Sequence, residues 1–166
     1  MNSEIHIPQS LHLKNAIQAI WQSGGLTPFQ NEHIIPKGIV EVIFNFSEGS
    51  RILALVGDRQ YQLSKCFING FNRVPVQIQL PERLMFLGIQ IQPLAVRKIL
   101  GTPAGEFSDM IVDLDLLEST FHSLWYQLAC QTHFDDRGVS FIRLDRKKTS
   151  RLATPGKNDQ SFPVRL

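Results

Sequence analysis

The chain has 166 residues, of which 43% are hydrophobic and 19% charged, and its net charge is +2. That is enough for one domain with its own core, and it excludes a mainly disordered chain. No apolar run approaches membrane-spanning length, and the start, MNSEIHIPQS, has neither a basic nor an apolar targeting segment, so no membrane span and no signal peptide are expected.

Charge is unevenly spread. From Arg143 to Leu166 there are seven Lys/Arg against two Asp/Glu, while the rest carries ten against thirteen. Such a basic end is either a nucleic-acid-facing tail or a solvated one. Cys66 and Cys130 stand far apart and outside any CxxC, which fits free thiols in a reducing compartment and a cytoplasmic location.

Taken in chain order, Ser10 to Ser23 predicts a short helix. Leu13, Ala16, Ile17, Ile20 and Trp21 recur at helical spacing, and Gly24-Gly25 follows. Leu26 to Ile35, with Pro28, predicts a connection or an edge strand. Pro36-Lys37-Gly38 is a turn. From Ile39 to Phe46 the chain alternates strictly, with Val40, Val42, Phe44 and Phe46 on one face and Ile39, Glu41, Ile43 and Asn45 on the other. The even face predicts core. The odd face, mixing isoleucines with a carboxylate and an amide, is either the lining of a cavity or a solvated surface.

Further strands are predicted over Arg51–Val56, Arg59–Leu63 and the short Cys66–Phe71. Val74–Leu80 predicts an edge-like strand because of Pro75, and Leu84–Gln92 a long one. After Pro93 the period changes. Pro93–Leu100 predicts a helix stopped by Gly101, Pro103–Met110 a helical turn, Asp113–Thr132 the longest helix and Phe134–Lys148 a weaker one. Residues 149–166 predict a basic, disordered tail, leaving 1–148 as the folded domain. Strands segregated from later helices predict an α+β fold, a mostly antiparallel barrel or sandwich preceded by one helix and followed by a helical segment.

Motifs of catalysis are sparse. The five histidines form no HxH, HxxxH or HExxH, and there is no GxSxG, P-loop or GxGxxG. No metal, cofactor or catalytic residue is expected. Leu114, Leu117, Phe121, Leu124 and Leu128 are spaced as the seam of a coiled coil, which either packs on the chain's own sheet or pairs two copies. Glu41, Ile43 and Asn45 share a strand face, and Gln90, beside the small Gly88, lies on the even face of the later strand. Those four are the candidate small-molecule site, and Leu117, Phe121, Leu124 and Leu128 the candidate dimerisation residues.

Several stretches together resemble a family. Ile35-Pro36-Lys37-Gly38-Ile39-Val40-Glu41-Val42-Ile43-Phe44-Asn45 resembles the opening strand of one class of N-terminal domains in the AraC/XylS family of bacterial transcription regulators. Trp21, Phe67-Ile68-Asn69-Gly70, Leu87 to Pro93, Ile99-Leu100-Gly101, Glu106-Phe107 and Asp113-Leu114 continue the likeness, from about Pro8 to Leu128. Lys37 stands where an acidic residue is usual, and Gln92 where an aromatic is common. The resemblance implies a cupin-like barrel that senses a small effector, a homodimer formed by a helical segment, and DNA contact through paired helix-turn-helix motifs. Too few residues follow Thr132 for that last module, so this chain is expected to be the isolated sensor domain or a truncated relative, regulatory rather than enzymatic. The alternative is a small cupin-type enzyme, an isomerase or metal-dependent oxygenase.

Overall fold

The alternation after the Gly38 turn forms strand β4 (Val40–Asn45) in the computed structural model of the chain, which describes residues 2–48, 51–117 and 120–138. Val40, Val42 and Phe44 enter one buried cluster, and Ile43 enters another on the opposite face. β4 is therefore covered on both sides and sits at the middle of the fold.

It belongs to a six-stranded sheet in the order β1 (Asn2–His6), β2 (Ile17–Leu26), β9 (Arg83–Ile91), β4, β7 (Cys66–Asn69), β10 (Ile111–Asp113). A second sheet has the order β3 (Asn31–Ile34), β8 (Val76–Gln79), β5 (Leu53–Val56), β6 (Arg59–Gln62). All pairings are antiparallel. The helices are α1 (Leu11–Lys14), α2 (Pro93–Leu100), α3 (Leu114–Leu117) and α4 (Thr120–Ala129), with a 3-10 turn over Ala104–Phe107 and helical residues 134–138.

Two cores follow from this layering. One face of the six-stranded sheet packs Val42, Phe44, Ile68 and Ile89 against Val96 of α2 and Phe121, Leu124 and Leu128 of α4. The other face packs Ile43, Phe67 and Phe86 against Ala54, Val56, Val76 and Ile78 of the smaller sheet. The class is α+β, as expected. The strands form two facing antiparallel sheets, and no closed barrel appears among the described residues.

Three expectations need correction. The helix expected over Ser10–Ser23 is only the single turn of α1, and from Ile17 the chain is strand β2. The cause is a bulge. Between Ile17 and Ile20 the chain advances three residues while partner β9 advances two, from Ile91 to Ile89. One extra residue puts Ile17 and Ile20 on the same face, which mimics helical spacing. Second, β8 is an inner strand between β3 and β5. Pro75 sits just before its first residue, where its missing N–H breaks no ladder bond. Third, the long helix expected from Asp113 begins as strand β10 and turns at Asp113, whose Oδ1 accepts the Asp115 backbone N–H at 2.9 Å.

The expected dimer seam lies inside the chain. Phe121, Leu124 and Leu128 are buried in the core between α4 and the six-stranded sheet, and only Leu117 is half exposed. These three could form a seam only by leaving that core. The helix expected beyond residue 138 and the tail expected over 149–166 fall outside the described residues. No helix among the described residues is long and apolar enough to cross a membrane.

Candidate functional site

The odd face of β4 turns inward, toward the smaller sheet. Antiparallel register sets Gln90 of β9 and Asn69 of β7 directly opposite Glu41, one on each side. Each donates its amide N–H to that carboxylate, Gln90 Nε2 to Oε1 at 2.9 Å and Asn69 Nδ2 to Oε2 at 3.3 Å. Asn72 Nδ2 in turn donates to Asn69 Oδ1 at 2.7 Å.

Trp21 reaches the same carboxylate from one strand further away. Its register partner on β9 is Gly88, and Gly88 is also the partner of Ile43 on β4. Because Gly88 has no side chain, the indole can cross over it. Trp21 Nε1 then donates to Glu41 Oε1 at 3.2 Å. Lys37, half exposed on the turn before β4, holds its ammonium 3.7 Å from the same oxygen.

Glu41 is only 3% exposed. A buried carboxylate is costly unless donors surround it. Here three neutral N–H groups converge on it and one cation stands at its outer side. That meets the hydrogen-bonding need without placing a charge in direct contact.

Above this group lies a cleft of about 600 Å³ between the sheets, within the range of small-molecule sites. Its walls are Trp21, Ile43, Ile78, Leu80, Leu84 and Phe86, and Glu41 and Gln90 are its polar floor. Edge strands β1 and β3, which are not paired with each other, bring Glu4, Ile5, Glu32, His33 and Ile34 to its margin. The arrangement is a half-open cleft with mainly apolar walls and several polar groups.

Of the four candidate effector residues, Glu41, Ile43 and Gln90 meet in this cleft. Asn45 does not line it. It lies where β4 ends, and its Oδ1 accepts the Ser47 backbone N–H at 2.9 Å, the local bond of an Asx turn. Trp21, Asn69 and Lys37 belong to the site and were not singled out by strand-face reasoning. Trp21 lies in the stretch whose spacing predicts a helix. The other two enter through register and turn geometry, which periodicity does not report.

A second groove, of about 970 Å³, opens at the far end of β4 beside Phe46, Lys65, Trp125 and Arg137. Two of its charged groups, Arg137 and Lys65, are engaged by the chain itself. Arg137, nine-tenths buried, donates to Leu128 O at 3.1 Å and to Gln22 Oε1, and lies 4.9 Å over the Phe46 ring. Burial lowers its pKa from the ordinary value. Lys65 sits 4.4 Å over the Trp125 ring.

Cys66 is buried and Cys130 exposed, both as free thiols. Among the described residues no group of three His, Cys, Asp or Glu side chains is placed to hold a metal ion.

A family model described as a domain of unknown function, DUF6597, matches residues 5–113. The match covers both sheets except the first three residues of β1, and it includes Trp21, Lys37, Glu41, Asn69, Asn72 and Gln90 but not Glu4. Neither the curated proteins nor the solved structures give a match to the chain.

Proposed function

The chain belongs to the DUF6597 family, and we propose that it is the effector-sensing domain of an AraC/XylS-type transcription regulator, binding a small molecule between its two sheets. The observation that carries this reading is Glu41, a carboxylate held almost wholly out of water at the floor of an apolar cleft. Burying a carboxylate opposes folding unless it is fully partnered. A fold that keeps one beside a 600 Å³ opening has a polar group positioned for recognition.

In this reading the facing sheets play the part of a cupin-like ligand chamber. The domain binds its ligand without converting it and acts as a homodimer, through a surface other than the buried Phe121, Leu124 and Leu128. DNA is contacted by helix-turn-helix motifs outside this chain. The family likeness of the Ile35–Asn45 stretch supports the regulatory setting, and that stretch supplies both Lys37 and Glu41.

Native mass spectrometry of protein purified from its producing cells tests the reading. Wild type is expected to retain a small molecule that a plugged variant, Leu80→Trp, loses while keeping its melting temperature within a few degrees. A ligand retained equally by the plugged variant would place binding elsewhere.

A further inference from the structure

We propose that the cleft selects for positive charge: its ligand joins an apolar, ring-sized body to a protonated amine, and that amine displaces Lys37 from Glu41. This rests on the reading of the inter-sheet cleft as a ligand site.

The first observation is the sign of the lining. Among the described residues, three carboxylates, Glu4, Glu32 and Glu41, border the cleft against a single lysine, Lys37, and one histidine, His33. An anion would pass two carboxylates at the margin and meet a third at the floor. A cation is drawn along the same path.

The second observation is how Glu41 is partnered. Its three close contacts, from Trp21, Gln90 and Asn69, are neutral N–H groups. None of them cancels its charge. Among the described residues, the cation paired with it is Lys37, at 3.7 Å, with its side chain 46% exposed. That distance is longer than a charge-assisted hydrogen bond, which is typically about 2.7–2.9 Å. The lysine therefore marks a position beside Oε1 that accepts an ammonium, and it occupies that position loosely from the solvent side. An ammonium arriving from within the cleft would be shielded from water, where the attraction to Glu41 is stronger.

The third observation is the apolar wall. Trp21 offers aromatic surface beside the carboxylate, and Phe86 lines the same cleft further along β9, surfaces suited to a ring or to the cation itself. Release of Lys37 would also free the turn at Pro36-Lys37-Gly38, which leads directly into the central strand β4. Ligand binding would thereby reach the middle of the fold.

Two probe pairs of matched shape and opposite charge test this. Calorimetric titrations use 2-phenylethylamine with phenylacetate, and tryptamine with indole-3-acetate, on wild type, Glu41→Gln, Lys37→Met and Leu80→Trp. The amines are expected to bind wild type, at least about tenfold more weakly to Glu41→Gln and several-fold more tightly to Lys37→Met, with no binding to the plugged Leu80→Trp. If only the carboxylates bind and the plug blocks them, the charge assignment is overturned while the cleft remains a ligand site. If neither class binds wild type, both fail together. Amine binding that survives the plug, or that Lys37→Met weakens, also overturns the proposal. Should Glu41→Gln not fold, Lys37→Met decides the matter, since a carboxylate ligand would lose affinity there and an amine would gain it.

Discussion

The Trp21 indole crosses Gly88 so closely that a β-carbon added at Gly88 would overlap Cε2 and Cζ2 of the ring. Gly88 is thus the gap through which an indole on β2 reaches a carboxylate on β4, two strands away. Gly88→Ala should cost about 1–3 kcal/mol, the usual range for overpacking a filled core. It should also push Trp21 Nε1 off Glu41. Urea unfolding measures the first effect. A red shift of tryptophan emission in a Trp125→Phe background, where Trp21 is the sole tryptophan, reports the second.

Removing the carboxylate altogether is expected to harm the fold. Glu41→Ala leaves an indole N–H and two amide groups without their acceptor. Each unpaired buried donor costs about 1–3 kcal/mol, less where cleft water reaches it. Glu41→Gln keeps the shape and one acceptor oxygen and should lose less. Chemical denaturation of the two variants side by side gives the ordering.

The α4 side chains should behave as core. Leu124→Ala and Leu128→Ala are expected to destabilise by about 2–5 kcal/mol. Leu116, 83% exposed on the neighbouring α3, should change stability by less than about 0.5 kcal/mol when truncated. Light scattering of the folded Leu124→Ala variant should give the same mass as wild type, because that side chain faces the chain's own sheet.

Much of the fold is legible in the sequence where one period holds without interruption. β4 shows its strand and its even, core-facing side through strict alternation, though not the burial of its odd side, and α2 shows its start at Pro93 and its end at Gly101, which takes the left-handed φ of +78° that closes a helix. Legibility fails where the chain breaks its own period. The bulge between Ile17 and Ala19 turns a strand into an apparent helix, and this hides Trp21 from the site. Of the site itself, strand-face reasoning reaches Glu41, Ile43 and Gln90. It extends the same face to Asn45, where the strand is already turning away. The meeting of Asn69 and Gln90 at Glu41 depends on register between strands far apart in sequence, and a single sequence carries no direct mark of register.

The two thiols should differ sharply. Cys130 is exposed and should react at once with a thiol reagent, and Cys66 only on unfolding. Burial pushes the Cys66 thiol well above its ordinary pKa of 9.0, reinforced by the nearby charges of Asp115 and Asp113. The folded state thus keeps a proton that the unfolded chain releases. This contribution to stability is complete below about pH 9 and declines as pH rises above it. Unfolding free energies at pH 8 and pH 10 should fall more for wild type than for Cys66→Ala, after allowing for the lower starting value of the variant.

The most direct measurement is electron density between the two sheets in crystals soaked with 2-phenylethylamine. The expected result is a ring beside Trp21 and Phe86, its ammonium within hydrogen-bond distance of Glu41, and the Lys37 side chain turned out to solvent. The contradicting result is a cleft that holds only water, with Lys37 still beside Glu41 and the amine lodged elsewhere, such as the groove beside Phe46 and Trp125.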